Sequence, residues 1–120
     1  MSILIALYIR LAERIIEPCT ATVYVHEMQA MGWFEDNEIH LNQNLTREEL
    51  MATVYHESYH CIDKGEYEGF GVEPYVNNYA KTNAREDIAE TYAYYKMGYE
   101  IPRAKKRALC NIIDCKIYLH

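Results

Sequence analysis

The run His56-Glu57-Ser58-Tyr59-His60 constrains this chain more than any other feature. On an α-helix, residues four apart stand about 40° from one another on one face, one turn above the other. Two imidazoles so placed can ligate one Zn2+ at ~2.0–2.1 Å, and the glutamate after the first of them lies beside the pair, within reach of a water held there. The pattern requires a helix over these residues and a third ligand from elsewhere in the chain.

The helix is signalled at both ends. Thr46 followed three residues later by Glu49 has the form of a capping box, and Leu45 and Leu50 occupy the positions of a hydrophobic staple, so a helix is expected to start near Arg47. Gly65 suits the position after its end. Leu50, Val54 and Cys61, with Met51, Tyr55 and Ile62, supply apolar positions at helical spacing, which predicts a partly buried helix of about 18 residues.

A second helix is expected in the stretch from Asn83 to Ala93, where Glu86 and Glu90 share one face. A hydrolytic site with two histidines takes one carboxylate as its third ligand and leaves a fourth position to water. A second carboxylate one turn away can accept the free N–H of a ligating histidine and fix its tautomer. Glu86 is therefore assigned to the metal and Glu90 to the outer shell. Each has a plainer reading: Asn83 and Glu86 also have the spacing of a helix cap and its partner, and Glu90 that of a solvated helix glutamate.

These two segments resemble a known family, the gluzincin metalloproteases that include the catalytic domain of anthrax lethal factor and the Pro-Pro endopeptidases. His56-Glu57-Ser58-Tyr59-His60-Cys61-Ile62-Asp63 fits the family's H-E-x-x-H-x-x-D, and Tyr79-Ala80-Lys81-Thr82-Asn83-Ala84-Arg85-Glu86 with Ala89 and Glu90 fits its Y-x-x-T-N-x-x-E-x-x-A-E. The resemblance covers residues 56 to 90. It implies a small single-domain zincin-like α+β fold over residues 1–120, with an active-site helix and a ligand helix packed on a short β-sheet. It further implies Zn2+ held by His56, His60 and Glu86, Glu57 as general base, and Tyr79 as the hydroxyl that steadies the oxyanion. Asp63 would help to orient the site from three residues beyond His60. The activity implied is zinc-dependent hydrolysis of a peptide or protein substrate, with the proline preference of some relatives not carried over. Two rival readings are a peptidase specific for one cytoplasmic repressor and a non-catalytic interaction protein in which zinc only staples two helices.

At 120 residues, half of them hydrophobic, the chain has the size of one ordinary domain. Its net charge of −6 argues against a nucleic-acid footprint. The basic cluster Arg103, Lys105, Lys106 and Arg107 reads as a solvated helix face. The apolar run from Ile3 to Ile9 is too short to span a bilayer and has no preceding positive charge. Arg10, Glu13, Arg14 and Glu17 continue it as an amphipathic helix ending before Pro18. Cys19, Cys61, Cys110 and Cys115 lack zinc-knuckle spacing and are read as reduced, which favours the cytoplasm.

Thr20 to Val25 reads as a strand, followed by a loop holding Gly32, Trp33 and Asp36-Asn37, and Glu38 to Asn42 as a second strand. By the same resemblance, Ile39 to Asn42 would be the edge strand that meets substrate. Gly65 to Asn78 is expected as an irregular loop whose Tyr67, Phe70 and Tyr75 either line a pocket or anchor the loop. Pro102 should open a closing helix with apolar positions at Ala108, Leu109, Ile112, Ile113 and Ile117. His26, His40 and His120 have no partner at ligand spacing in sequence and are read as solvent-facing.

Overall fold

The protein is described from a computed structural model that covers residues 3–15 and 19–115; the expected helix stop at Pro18, the apolar position Ile117 and the terminal His120 lie outside them. These residues form an α+β fold of four helices and a three-stranded mixed sheet, in two compact units, Met1–Lys64 and Gly65–His120.

The first unit contains α1 (Ile3–Ile15), β1 (Thr22–His26), β2 (Gly32–Glu35), β3 (Glu38–Asn42) and α2 (Arg47–Ile62). The strand order is β1-β3-β2, with β1 parallel and β2 antiparallel to β3. Two expectations are corrected here. Residues Gly32–Glu35, read as loop, form a strand, because Asp36 and Asn37 adopt φ of 51° and 61° and make the two-residue turn that returns the chain antiparallel. As a result β3 is the central strand rather than an edge, and β1 and β2 are the two strands with one side unpaired in the sheet.

Alternation places Val23, Ile39 and Leu41 on one face of the sheet, where they join Ala12, Cys19, Ala21, Leu45, Leu50 and Val54 in a buried cluster. Tyr24, His26, Glu38 and His40 therefore point to the other face. Helix α2 begins as expected. Thr46 Oγ1 accepts from Glu49 N–H at 3.2 Å and Glu49 Oε1 accepts from Thr46 N–H at 2.9 Å, while the staple residues Leu45 and Leu50 are both buried. The two hydrogen bonds to Thr46, the backbone one foremost, hold the Glu49 carboxyl below the ordinary carboxylate range.

The cysteines are also corrected. Cys19 is bonded to Cys61, tying the chain ahead of β1 to the last turn of α2, and in the second unit Cys110 is bonded to Cys115. Cys61 adjoins His60 in sequence. One position along a helix turns the side chain by about 100°, so Cys61 faces away from His60 and meets Cys19. The cytoplasmic assignment, which rested on reduced thiols, loses its basis. Among the described residues no helix is long and apolar enough to cross a membrane.

The second unit contains a 3-10 helix (Tyr79–Thr82), α3 (Ala84–Met97) and α4 (Arg103–Ile112), after a stretch from 65 to 78 without regular structure. Asn83 caps α3, and Gly98 ends it in the left-handed conformation (φ 77°), its N–H donating to Tyr94 O and Tyr95 O. The basic run on α4 divides. Lys106 is exposed, but Lys105 is 1% exposed and its Nζ donates to Asp87 Oδ2 at 2.5 Å, Val72 O at 2.7 Å and Gly69 O at 3.0 Å. Lys105 is thus no part of a solvated face. It ties α4 to α3 and to the irregular stretch, with its ammonium over the rings of Phe70 and Tyr75. Those two aromatics anchor the stretch to the unit, whereas Tyr67 lines an open cavity of about 560 Å3 with Glu66, Arg107 and Asn111.

Candidate metal centre

His56, Glu57 and His60 lie in the second half of α2. Helical pitch brings the two imidazoles together, and their Nε2 atoms are 3.1 Å apart with the rings near perpendicular. Ligand atoms at 2.0–2.1 Å from a tetrahedral ion are separated by ~3.3 Å, so the pair already has the spacing that one such ion requires. Glu57 is 5% exposed, and its Oε1 lies 4.0 Å from His56 Nε2. A carboxylate is rarely buried without a role.

Burial of Glu57 depends on β2. A methyl group at Gly32 would come within 2.6 Å of Thr53 Cγ2 and 2.9 Å of His40 O, with Glu57 Cγ at 3.5 Å. Only a residue without a side chain lets the strand approach the helix this closely, and the approach carries the partly unpaired strand β2 past Glu57. Sequence reasoning missed β2, although the adjacent aromatics Trp33-Phe34 between Gly32 and the turn pair Asp36-Asn37 were the available signal. Asp63 is the C-cap of α2 in extended conformation.

The second unit gives local physical meaning to the spacing from Tyr79 to Glu86. Thr82 Oγ1 donates to Tyr79 O at 2.7 Å and closes the 3-10 turn, and Asn83 Oδ1 accepts from Glu86 N–H at 2.8 Å and starts α3. The two turns bring the Tyr79 hydroxyl to Glu86 Oε2 at 2.5 Å. Glu86 therefore engages the cap through its backbone while its carboxylate meets Tyr79, so the capping reading does not use up its side chain. Glu90 Oε1 accepts from Asn77 Nδ2 at 2.9 Å, and Asn77 Oδ1 accepts from Ala80 N–H at 3.0 Å. Asn77, which the sequence reading passed over, thereby links Glu90 to the turn that carries Tyr79. Its position two residues before the tyrosine was the only hint.

His56, His60 and Glu86 each offer one ligand atom to a group that could hold a metal ion. Two imidazole nitrogens and one carboxylate oxygen form a donor set that suits zinc and neighbouring transition metals, with three protein ligands among the described residues. All four cysteines are engaged in disulfides, so none is a thiolate ligand. No family model, curated protein or solved structure matches this chain.

Proposed function

We propose that the protein is a zinc-dependent metallopeptidase of gluzincin type, in which His56, His60 and Glu86 hold Zn2+ and Glu57 is the general base. The observation that carries this reading is the pair of Nε2 atoms 3.1 Å apart on α2, with a buried carboxylate one residue from the first histidine. Zinc in such a site supplies Lewis acidity towards a carbonyl and lowers the pKa of water towards ~7. Glu57 takes the proton of the attacking water and delivers it to the leaving amine. Tyr79, whose single O–H donates to Glu86 in this structure, would turn that donor to the oxyanion as the carbonyl becomes tetrahedral. Glu90 and Asp63 would orient the ligating histidines by hydrogen bonding without touching the ion.

The substrate is an extended peptide. Strand β2 has one side unpaired in the sheet and passes beside Glu57, so a peptide pairing with it would lay its backbone along the base. This replaces β3 as the substrate strand. Two disulfides suit an oxidising environment and favour action there over cleavage of a cytoplasmic repressor. A purely structural zinc is disfavoured because such sites close all four positions, often with cysteine thiolates.

The deciding experiment is elemental analysis of the purified chain and of Glu86→Ala. The expected result is that Glu86→Ala holds about one zinc per chain fewer than the native chain, or holds that ion at least tenfold more weakly. Folded protein that takes up no zinc at His56 and His60 would end the reading.

A further inference from the structure

A second pair of histidines stands on the face of the sheet opposite the buried cluster, and its hydrogen bonds restrict the tautomers it can adopt. His26 on β1 and His40 on β3 point the same way, with His26 Nε2 and His40 Nδ1 2.9 Å apart. The remaining nitrogen of each ring meets an oxygen that can only accept. His26 Nδ1 lies 3.1 Å from Glu27 O, and His40 Nε2 lies 3.1 Å from Glu38 Oε1. In neutral rings, both of those nitrogens carry the proton. The consequence is that the two nitrogens facing one another both present lone pairs. At 2.9 Å that arrangement is repulsive unless a proton or a metal ion lies between them.

We propose that His26 and His40 form a chelate for a divalent first-row transition-metal ion, separate from the histidine pair on α2. Neutral imidazole is a preferred ligand for such ions, and the N–N separation is near the ~3.3 Å expected of two ligands on one tetrahedral centre. The Glu38 carboxylate on His40 Nε2–H is the carboxylate–histidine arrangement that orients a metal-binding ring and raises its basicity; the Glu27 carbonyl does the same for His26. The rings are further fixed by stacking. His40 lies between Tyr24, with centroids 5.1 Å apart, and Trp33, at 4.5 Å, while His26 meets the edge of Trp33. Water completes the coordination at this half-exposed face. An ion held by one residue of β1 and one of β3 clips two adjacent parallel strands together and stabilises the first unit against unfolding.

The chain provides its own reporter, because Trp33 is its only tryptophan and stacks on His40. The test is titration of the full chain with Ni2+, a paramagnetic quencher, following Trp33 fluorescence, in a His56→Ala/His60→Ala background that silences the α2 pair. Saturable quenching that Zn2+ reverses by competition is expected, with the Ni2+ midpoint raised at least tenfold by His26→Gln, which leaves the Trp33–His40 stack in place. Should the double-alanine background fail to fold, equilibrium dialysis of Ni2+ against the native chain and His26→Gln gives the same answer, with one ion per chain lost in the variant. Absence of saturable quenching, quenching unchanged by His26→Gln, or imidazole nitrogen resonances showing that the pair takes up one shared proton but no metal would each overturn the proposal.

Discussion

Replacing Lys105 by methionine should be among the most destabilising changes the chain can accept. The ammonium has three N–H groups, and all three are used, by Asp87 Oδ2, Val72 O and Gly69 O. Methionine keeps most of the stem volume and removes the charge. The two carbonyls belong to exposed residues and can turn to water, so their loss adds little. Asp87 is 0% exposed and cannot. It would keep only the Gly71 N–H at 2.9 Å and the Thr91 hydroxyl at 3.4 Å. Leaving one member of a buried pair uncompensated costs about 3–5 kcal/mol, a large share of the roughly 5–15 kcal/mol that holds an ordinary domain.

Urea unfolding followed by circular dichroism at the helical band measures this, with Lys106→Met as control. Lys106 is the next residue on the same helix and is exposed, so its substitution should change stability by no more than about 0.5 kcal/mol. A second variant, Lys105→Met with Asp87→Leu, should recover much of the loss, because removing both charges removes the buried one. Lys105→Met within about 1 kcal/mol of the native chain, or equal to Lys106→Met, would refute the inward placement of Lys105.

Glu57→Gln should retain zinc and lower peptidase turnover by about 10²–10⁴-fold, the usual contribution of a general base; retained turnover in the metal-loaded variant would remove Glu57 from that role. Replacing Cys19 and Cys61 by serine opens a bridge between residues 42 apart and should lower stability by about 4 kcal/mol on the loop-entropy account, measured by denaturant unfolding of the oxidised and variant proteins. Gly32→Ala should cost about 1–3 kcal/mol, since the new methyl meets the backbone oxygen of His40 at 2.9 Å, and thermal melting reads the loss. The depressed Glu49 carboxyl contributes stability that is present above its unfolded pKa and lost as pH falls through the lower folded value. Native protein should therefore lose stability relative to Glu49→Gln on acidification through and below the ordinary carboxylate range, with no change in their difference between pH 6 and 8.

The parts of this protein legible in sequence are those whose partners lie within one or two helical turns. Thr46 and Glu49 announce the start of α2 because each satisfies the other's backbone N–H, and Asn83 announces α3 for the same reason. The histidine pair follows from pitch alone, and the Tyr79–Glu86 bond from two consecutive turns. Strand β2 was missed because its turn lacks glycine, and Asp36 and Asn37 take positive φ through their own side-chain tolerance of that region. Lys105 was misread because four basic residues in a five-residue stretch look solvated until Asp87, 18 residues earlier, is seen to be buried.

Both histidine pairs arise from regular secondary structure, yet their legibility differs for a physical reason. On α2 the separation of four is intrinsic to the helix, so His56 and His60 meet wherever that helix forms. On the sheet, His26 and His40 meet only because the parallel register pairs Tyr24 with His40 and carries His26 two residues further along the same face. A shift of one residue would turn His26 towards the buried cluster and abolish the pair. The register is in turn held by Val23 against Ile39 and Val25 against Leu41, whose packing leaves no alternative without exposing the core. The apolar face of the sheet thus determines the chemistry of the opposite face, which is why a reading of isolated histidines in the chain assigned them to solvent.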